Sequence, residues 1–163
     1  MDKINHNAYK SKFNSVDELN NLLGKEIGLT EWYTMDQDKI NIFADTTEDR
    51  QWIHIDEEKC NNESPYKTTI AHGFLMLSMC SKIMFDSYEL NNVGMVINYG
   101  LDKVRFPAPV PVNSRVRASH KFLSAELKGD NTVQVKREVT IEIEGGNKPV
   151  CVAESLIRYM YSD

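Results

Sequence analysis

The sequence GFLMLSMCSKIMFDSY, residues 73–88, decides the fold. The segment is too long for an ordinary strand and contains neither proline nor an internal glycine. It therefore predicts a helix of about 24 Å, at 1.5 Å per residue. Apolar side chains occur almost all round this helix. A helix of that kind lies in the middle of a soluble protein rather than on its surface.

After this segment the hydrophobic pattern changes to a period of two. The alternation predicts four strands, at residues 95–106, 114–123, 132–143 and 150–161, separated by PAPVP and by two glycine-containing turns. Strands joined by tight turns are antiparallel neighbours. A twisted antiparallel sheet that curls around one apolar helix covers most of its surface. The pattern therefore predicts an α+β hot-dog fold, an antiparallel β-sheet wrapped around a long central α-helix.

The region before the central segment is less regular. Residues 1–14 show no period and predict a loose N-terminal arm. Ser15 and Glu18 fit a capping box for a short helix that Gly24 ends. Residues 26–33 are then predicted as a strand.

A second helix is predicted over residues 36–44, with Thr34 or Asp36 as its cap. Residues 46–67 have no clear period and predict a long loop. Loops of that length inside a compact domain are often functional.

Composition and charge exclude several classes of protein. The chain has 163 residues, which suits one domain, predicted here as residues 1–163. The net charge of −5 and the lack of a basic block argue against a nucleic-acid binder. No apolar run reaches the roughly 18 residues of a membrane span, and the N-terminus lacks an apolar signal core. Three scattered cysteines predict free thiols, so a cytoplasmic protein is expected.

Two polar groups in the predicted loop carry the first chemical hypothesis. Asp49 and His54 are five residues apart. A carboxylate and an imidazole brought together can share proton transfer, because the acid holds the ring and the ring titrates near neutral pH. The alternative is a surface aspartate and a structural histidine. The spacing alone does not choose between them.

His72 and Gly73 stand where the loop enters the central helix. The first N–H groups of a helix have no internal partner, and the helix dipole is positive there. A substrate carbonyl can approach the Gly73 N–H closely, which makes an oxyanion site for a thioester enolate. Alternatively, the glycine serves close packing and the histidine caps the loop.

Other polar positions have simpler interpretations. Ser78 and Ser81 can bond back to their own helix, or one of them can support the loop that holds Asp49 and His54. No HxH, HExxH or cysteine cluster occurs, so no metal site is expected. His6 and His120 are interpreted as structural or solvent-exposed.

Arg137 falls on the apolar phase of its predicted strand, and Glu154 falls on the apolar phase of the next one. A turn at residues 145–148 would place the two residues nearly opposite each other. We therefore predict a cross-strand ion pair between them. A subunit interface is one place where such a pair can lie. The alternative is a bulge that turns Arg137 into solvent.

Two motifs at a fixed separation resemble those of a known family. FADTTEDRQWIHIDEE, residues 43–58, followed by TTIAHGFLMLSM, residues 68–79, resembles the MaoC-like dehydratase family of (R)-specific enoyl-CoA hydratases. The QWIH run and VRFPAPVPVNSRVR, residues 104–117, resemble the nodulation protein N-like branch. The resemblance covers about residues 20–160.

The resemblance implies a hot-dog homodimer that reversibly hydrates a trans-2-enoyl thioester to the (R)-3-hydroxyacyl form. By matching positions, Asp49 and His54 are the catalytic pair, Gly73 holds the thioester oxygen and Ser81 assists. Trp52, where the broader family has proline, is expected to shape substrate binding together with His72 and Gly73. Glu48 stands where the family often has glycine.

The implied reaction needs no metal or redox cofactor, because coenzyme A or acyl carrier protein comes with the substrate. Membranes and nucleic acids are not expected partners. Two alternatives remain on the same fold: an acyl-CoA thioesterase, and a non-catalytic acyl-thioester-binding subunit. Four cationic residues can meet coenzyme A phosphates or can be ordinary strand-surface charge: Lys103, Arg105, Arg115 and Arg117.

Overall fold

Eight strands pair into one sheet in a computed structural model that describes residues 7–162. The order across the sheet is β4-β1-β2-β6-β7-β8-β5, and β3 pairs with β6 beside this path. In chain order the elements are β1 (Tyr9–Phe13), α1 (Val16–Asn20), β2 (Glu26–Leu29), β3 (Tyr33–Met35), α2 (Gln37–Thr47), α3 (Trp52–Ile55), α4 (Glu57–Glu63), α5 (Gly73–Ser78), α6 (Cys80–Ser87), β4 (Tyr88–Leu90), β5 (Val93–Arg105), β6 (Ser114–Leu127), β7 (Thr132–Ile143) and β8 (Pro149–Tyr161).

The long strands β6, β7 and β8 pair antiparallel and line one side of the core, as their alternation predicts. Their inward side chains pack against the central helical segment. The main cluster includes Met76, Cys80 and Ile83 from the helices, with Val116, Ala118, Val139, Ile141, Cys151 and Ala153 from the strands. The predicted arrangement of an antiparallel sheet around a central helix is therefore confirmed.

The central helical segment consists of α5 and α6. The Met79 N–H donates to the Leu75 carbonyl at 3.1 Å, and the Ile83 N–H donates to the Met79 carbonyl at 2.9 Å. Helical bonding thus continues across Met79, and the predicted extent is correct. Burial all round is wrong for this single chain, because Phe74 and Phe85 are 67% and 57% exposed. The sheet therefore leaves part of the helix surface uncovered.

The N-terminal region contains more structure than its pattern predicts. Residues 9–13 form β1, so the prediction of a loose arm is wrong for them. Phe13 anchors this strand, because it is buried against Phe122 and Tyr88. Residues 1–6, including His6, lie outside the described residues.

The predicted strand at residues 26–33 is split into β2 and β3. β2 runs very close to the end of α6. A Cβ atom on Gly28 would lie 2.2 Å from the Ser87 carbonyl oxygen, so only glycine fits at this position.

The predicted loop at residues 46–67 is wrong as well. α2 extends to Thr47, and two short helices, α3 and α4, follow. α4 begins at a local cap, in which the Asp56 carboxylate accepts from the Lys59 N–H at 2.9 Å, whereas α3 has no side-chain cap. Elements of four to seven residues are too short to show a helical period, which is why the pattern misses them.

Arg137 is inside the protein, and both predictions about it are wrong. Its exposed fraction is 1%, so no bulge turns it into solvent. The register pairs Arg137 with Ser155, and pairs Glu138 with Glu154. An offset of one residue places side chains on opposite faces of a sheet. Glu154 accordingly bonds Lys103 on the outer face at 2.7 Å.

The three cysteines are free and buried, as predicted. Among residues 7–162, no helix combines the length and the apolar character that crossing a membrane requires.

Candidate active site

The site begins where α2 ends. Glu48 caps α2 in the left-handed conformation, with φ of 61°. This reversal directs the chain into Asp49, whose side-chain oxygen accepts from the Gln51 N–H at 3.4 Å. Asp49 is exposed and remains available to a ligand. The position before the aspartate thus needs a left-handed residue, which explains why the related family often has glycine there.

His54 lies on the short helix α3 and is buried. Its Nδ1 is 2.7 Å from the carbonyl oxygen of Ile70. Because a carbonyl only accepts, Nδ1 carries the proton and the neutral ring keeps its lone pair on Nε2. Burial lowers the pKa of His54 below its ordinary value, the Ile70 carbonyl and the Asp49 charge oppose this shift, and His72 reinforces it. His54 is therefore neutral near pH 7.

His72 connects the aspartate loop to the central helix. It is the N-cap residue of α5, and its Nε2 donates to the main-chain carbonyl of Asp49 at 3.0 Å. Its ring stacks on that of His54 with centroids 3.7 Å apart, and Phe43 packs on it at 5.0 Å. The Nδ1 of His72 is buried without a hydrogen-bond partner.

Asp49, His54 and His72 therefore come together in space. One carboxylate oxygen and one ring nitrogen from each histidine lie within 4.8 Å of one another. An anionic carboxylate beside a neutral imidazole with a free lone pair can move protons to and from a bound molecule. The same donor types also occur in metal sites, so the expectation of a metal-free site stays a prediction.

A cavity of about 320 Å³ adjoins His54 and Gly73. Gly73 is the first residue of α5, so its N–H has no partner within the helix. A Cβ atom at Gly73 would lie 2.9 Å from the ring of Phe106, so the glycine also serves close packing. Both interpretations of Gly73 made from the sequence fit this position.

Several residues around this cavity were not predicted from the sequence. They are Tyr66, Ile70, Ala71, Met76, Phe106, Pro107, Ala108, Pro109, Val110 and Val150. The available signal was the FPAPV run between two strands, since two prolines in five residues cannot continue a sheet. That run was interpreted as a break between strands and as part of the resemblance, and not as the wall of a cavity.

Ser81 and Trp52 lie away from this cavity. The Ser81 hydroxyl on α6 accepts from Asn98 Nδ2 at 2.9 Å, and it lines a second cavity. Trp52 packs under the Lys59 ammonium group, 4.9 Å from its ring centroid. Ser78 bonds back to the Phe74 carbonyl at 2.8 Å. The assisting role of Ser81 and the substrate contact of Trp52 stay predictions.

The four cationic strand residues already have partners. Lys103 pairs with Glu154 at 2.7 Å, and Arg115 pairs with Glu144 at 2.9 Å. Arg117 pairs with Glu142 at 2.5 Å, and the Arg105 guanidinium donates to the carbonyl of Val104. Ordinary strand-surface charge explains these residues.

Comparisons with known proteins agree with this geometry. The model of the MaoC like domain matches residues 18–144. The chain is 47% identical over 148 residues to 3-hydroxyacyl-thioester dehydratase Z of Mycobacterium tuberculosis, covering 91% of this chain and 97% of that protein. It is 41% identical over 140 residues to nodulation protein N of Rhizobium leguminosarum bv. viciae, covering 85% and 87%.

A solved structure of the R-hydratase PhaJ1 from Pseudomonas aeruginosa superposes with a TM-score of 0.66 at 21% identity. The match covers 86% of this chain and 83% of that one. The predicted hot-dog fold is confirmed by this likeness. The match of the family model to most of the chain and the two curated relatives lead to one conclusion: the chain belongs to the family of the MaoC like domain.

Proposed function

We propose that this protein reversibly hydrates a trans-2-enoyl thioester to the (R)-3-hydroxyacyl thioester. The observation that carries the proposal is the cluster of Asp49, His54 and His72 beside the cavity lined by His54 and Gly73. The relative from Mycobacterium tuberculosis, whose name describes dehydration of 3-hydroxyacyl thioesters, supports it. The (R) configuration follows from the resemblance of residues 43–58 and 68–79 to (R)-specific hydratases.

The proton chemistry rests on the tautomer of His54. Its Nε2 lone pair takes a proton from water held between the ring and the Asp49 carboxylate. The water oxygen adds to C3 of the enoyl group. A proton from the same pair then reaches C2, so both additions occur on one face of the double bond. Dehydration is the reverse sequence.

Gly73 is proposed to stabilise the negative charge that forms on the thioester oxygen. Negative charge develops on the thioester oxygen as water adds, because the electrons of the double bond move towards the carbonyl. The N–H at the start of α5 has no helical partner and can donate a hydrogen bond to this oxygen. Ser81 is retained in the proposal as an assisting residue.

The substrate carrier is coenzyme A or acyl carrier protein, and the proposed setting is the cytoplasm. A homodimer is also part of the proposal. Strand β5 stands at the edge of the sheet, and it exposes Met95, Ile97, Tyr99 and Leu101. A contiguous apolar edge of this kind is normally covered by a partner.

Crotonyl-coenzyme A tests the proposal directly. The purified protein should consume the ultraviolet absorbance of the conjugated enoyl thioester without releasing free thiol. Asp49→Asn and His54→Ala should each lower kcat by about 100-fold to 10,000-fold, the usual contribution of acid–base catalysis. Thiol release with the enoyl absorbance intact would instead identify a thioesterase, and no turnover of either kind would identify a binding subunit.

Two controls sharpen this experiment. Ser78→Ala removes a hydroxyl that bonds only within its own helix, so this variant should keep wild-type activity. Overnight treatment with a strong chelator should also leave the rate unchanged, because the proposed chemistry uses protein groups alone. In the dehydration direction, only the (3R) and not the (3S) isomer of 3-hydroxybutyryl-coenzyme A should react.

A further inference from the structure

Arg137 is a buried cation without an anionic partner. Its side chain is 99% removed from solvent, and its four hydrogen-bond partners are all neutral acceptors. Nε donates to the Ser155 hydroxyl at 2.9 Å, and Nη2 donates to the Cys80 carbonyl at 3.2 Å. Nη1 faces the hydroxyl of Tyr88 and the Nδ1 of His120. Within residues 7–162, no carboxylate lies within ion-pair distance of this guanidinium.

This arrangement is costly for the folded chain alone. A charge taken out of water loses its hydration, and this loss is unfavourable unless an opposite charge replaces the water. The flanking inward positions on β7, Val135 and Val139, are apolar and fully buried. An apolar side chain would therefore suit position 137 better if packing were its only purpose.

The guanidinium lines a second cavity of about 300 Å³ between α6 and β5. Its other side chains with oxygen or nitrogen atoms belong to Ser78, Ser81, Asn98, Tyr99 and Ser155, and Leu77 and Leu101 contribute apolar wall. No aspartate or glutamate is among the described residues that line it. The cavity is therefore positive and has no internal counter-ion.

The polar groups nearest to Arg137 and Asn98 are arranged as donors, whereas the Ser78 hydroxyl donates to the Phe74 carbonyl of its own helix. The Ser155 oxygen accepts from Arg137 and the Ser81 oxygen accepts from Asn98, so each hydroxyl hydrogen remains free to donate. A guanidinium has five N–H groups, and four of those of Arg137 are used, which leaves one on Nη2. Donors around a single positive charge, with apolar walls beyond, suit a carboxylate attached to a short hydrocarbon.

We propose that the cavity between α6 and β5 binds the carboxylate of a small organic acid, with Arg137 as its counter-ion. Two sources share this chemistry. Gly73, Leu77 and Ser81 follow one face of the central helix, about 12 Å from first to last. An acyl thioester held at His54 can therefore carry the carboxylate at its far end, and this source rests on the proposed function. A free carboxylic acid is the other source.

Thermal melting tests the site without using enzyme activity. Hexanoate at ten times its Kd should raise the melting temperature by about 3–6 °C, because a ligand of the folded state stabilises it by mass action. Hexanamide has the same shape without the charge and should give no shift. Equal shifts for the two compounds, or no shift with hexanoate, would overturn the proposal.

Ser155→Asp is the decisive variant, because removal of a buried arginine can prevent folding. The new carboxylate lies next to the Arg137 guanidinium and occupies the place of the ligand. This variant should melt no lower than wild type and should lose the response to hexanoate. Ser119→Asp places the same change between the buried positions 118 and 120, on the outer face of the sheet, and should keep the response. A full hexanoate response in Ser155→Asp would contradict the assignment.

Turnover then separates the two sources. Enoyl-coenzyme A substrates of equal length that end in a carboxylate or in a methyl group are compared. A preference of about tenfold or more in kcat/KM for the carboxylate, lost in Ser155→Asp, identifies the acyl chain as the source. A hexanoate response without that preference identifies a free acid. If the protein hydrates neither substrate, the proposed function fails, while the melting experiment still decides the carboxylate site.

Discussion

His54 and His72 hold each other in complementary tautomers. The proton of His54 is on Nδ1, because that nitrogen faces the Ile70 carbonyl, and the proton of His72 is on Nε2, because it faces the Asp49 carbonyl. The stacked rings keep both orientations fixed. Main-chain carbonyls thus decide which nitrogen of His54 is basic.

The pH dependence of turnover should reflect this burial. The base must be neutral, so activity falls when the pH drops through the pKa of His54. Burial lowers that pKa below its ordinary value of 6.5 and keeps the ring neutral to a lower pH. The acid limb of kcat/KM, measured from about pH 5 to pH 8, should therefore have its midpoint below 6.5. A midpoint above that value would show that His54 is not the base.

His72 is predicted to position the site rather than to exchange protons. His72→Phe keeps a ring between His54 and Phe43 but removes the donor to the Asp49 carbonyl. We expect kcat to fall about 10-fold to 100-fold with little change in KM, because the carboxylate is misplaced. His72→Gln restores an N–H and should recover part of the loss. Equal losses in the two variants would contradict a role for the hydrogen bond.

Arg137 and the pair of Asp49 and His54 show how much can be inferred from single residues of the sequence. The apolar phase of Arg137 signalled an unusual environment, but its partner depends on a strand register that shifts by one residue in the turn region. Asp49 and His54 were recognisable as a pair only through the resemblance, since a spacing of five is common. His72 was expected to contact substrate, and its bond to the Asp49 carbonyl needed coordinates to be seen.

At the scale of elements, the C-terminal end of α2 sets the direction in which the chain enters the site. Glu48 adopts φ of 61°, which costs a residue with a Cβ atom about 1 kcal/mol. Glu48→Gly should raise the free energy of unfolding by about 0.5–1 kcal/mol, as measured by urea denaturation. Ile42→Gly is the matched control, because it is exposed within the same helix and should lower stability by a similar amount. A lower free energy of unfolding in Glu48→Gly would mean that the glutamate side chain itself stabilises the end of α2.

The predictability of each element follows its length and its environment. β6, β7 and β8 each bury one face over twelve residues or more. The alternation of apolar and polar residues therefore repeats often enough to be recognised in the sequence. Caps were also readable, since Asp36 accepts from the Lys39 N–H at 2.9 Å and Ser15 accepts from the Glu18 N–H. β1, α3 and α4 are too short to show a repeating pattern, and the one local signal, the Asp56 cap of α4, was not recognised. The cavity walls were missed for the same reason.

At the scale of the whole molecule, the exposed apolar residues of β5 mark the surface where we propose that a second copy of the chain packs. Leu101→Asp places a charge on the exposed edge strand β5, where the proposed partner packs. Light scattering after gel filtration should give the mass of a dimer for the wild-type chain and a shift towards monomer for this variant. Leu127→Asp changes an even more exposed leucine, the last residue of β6, and should remain dimeric. A dimer unaffected by Leu101→Asp would place the interface elsewhere.

The parallel pairing of β1 with β4 has a consequence for biosynthesis. β1 leaves the ribosome early, but Ser11 pairs with Tyr88, and Phe13 packs against Phe122. A nascent chain therefore carries Phe13 unburied until most of the protein has been made, which takes seconds at about 5–20 residues per second. In pulse-labelled refolding, amide protection at β1 should accordingly appear after that of β6–β8, and earlier protection would contradict this order. Until residue 122 has been made, Phe13 has no partner from β6 to pack against.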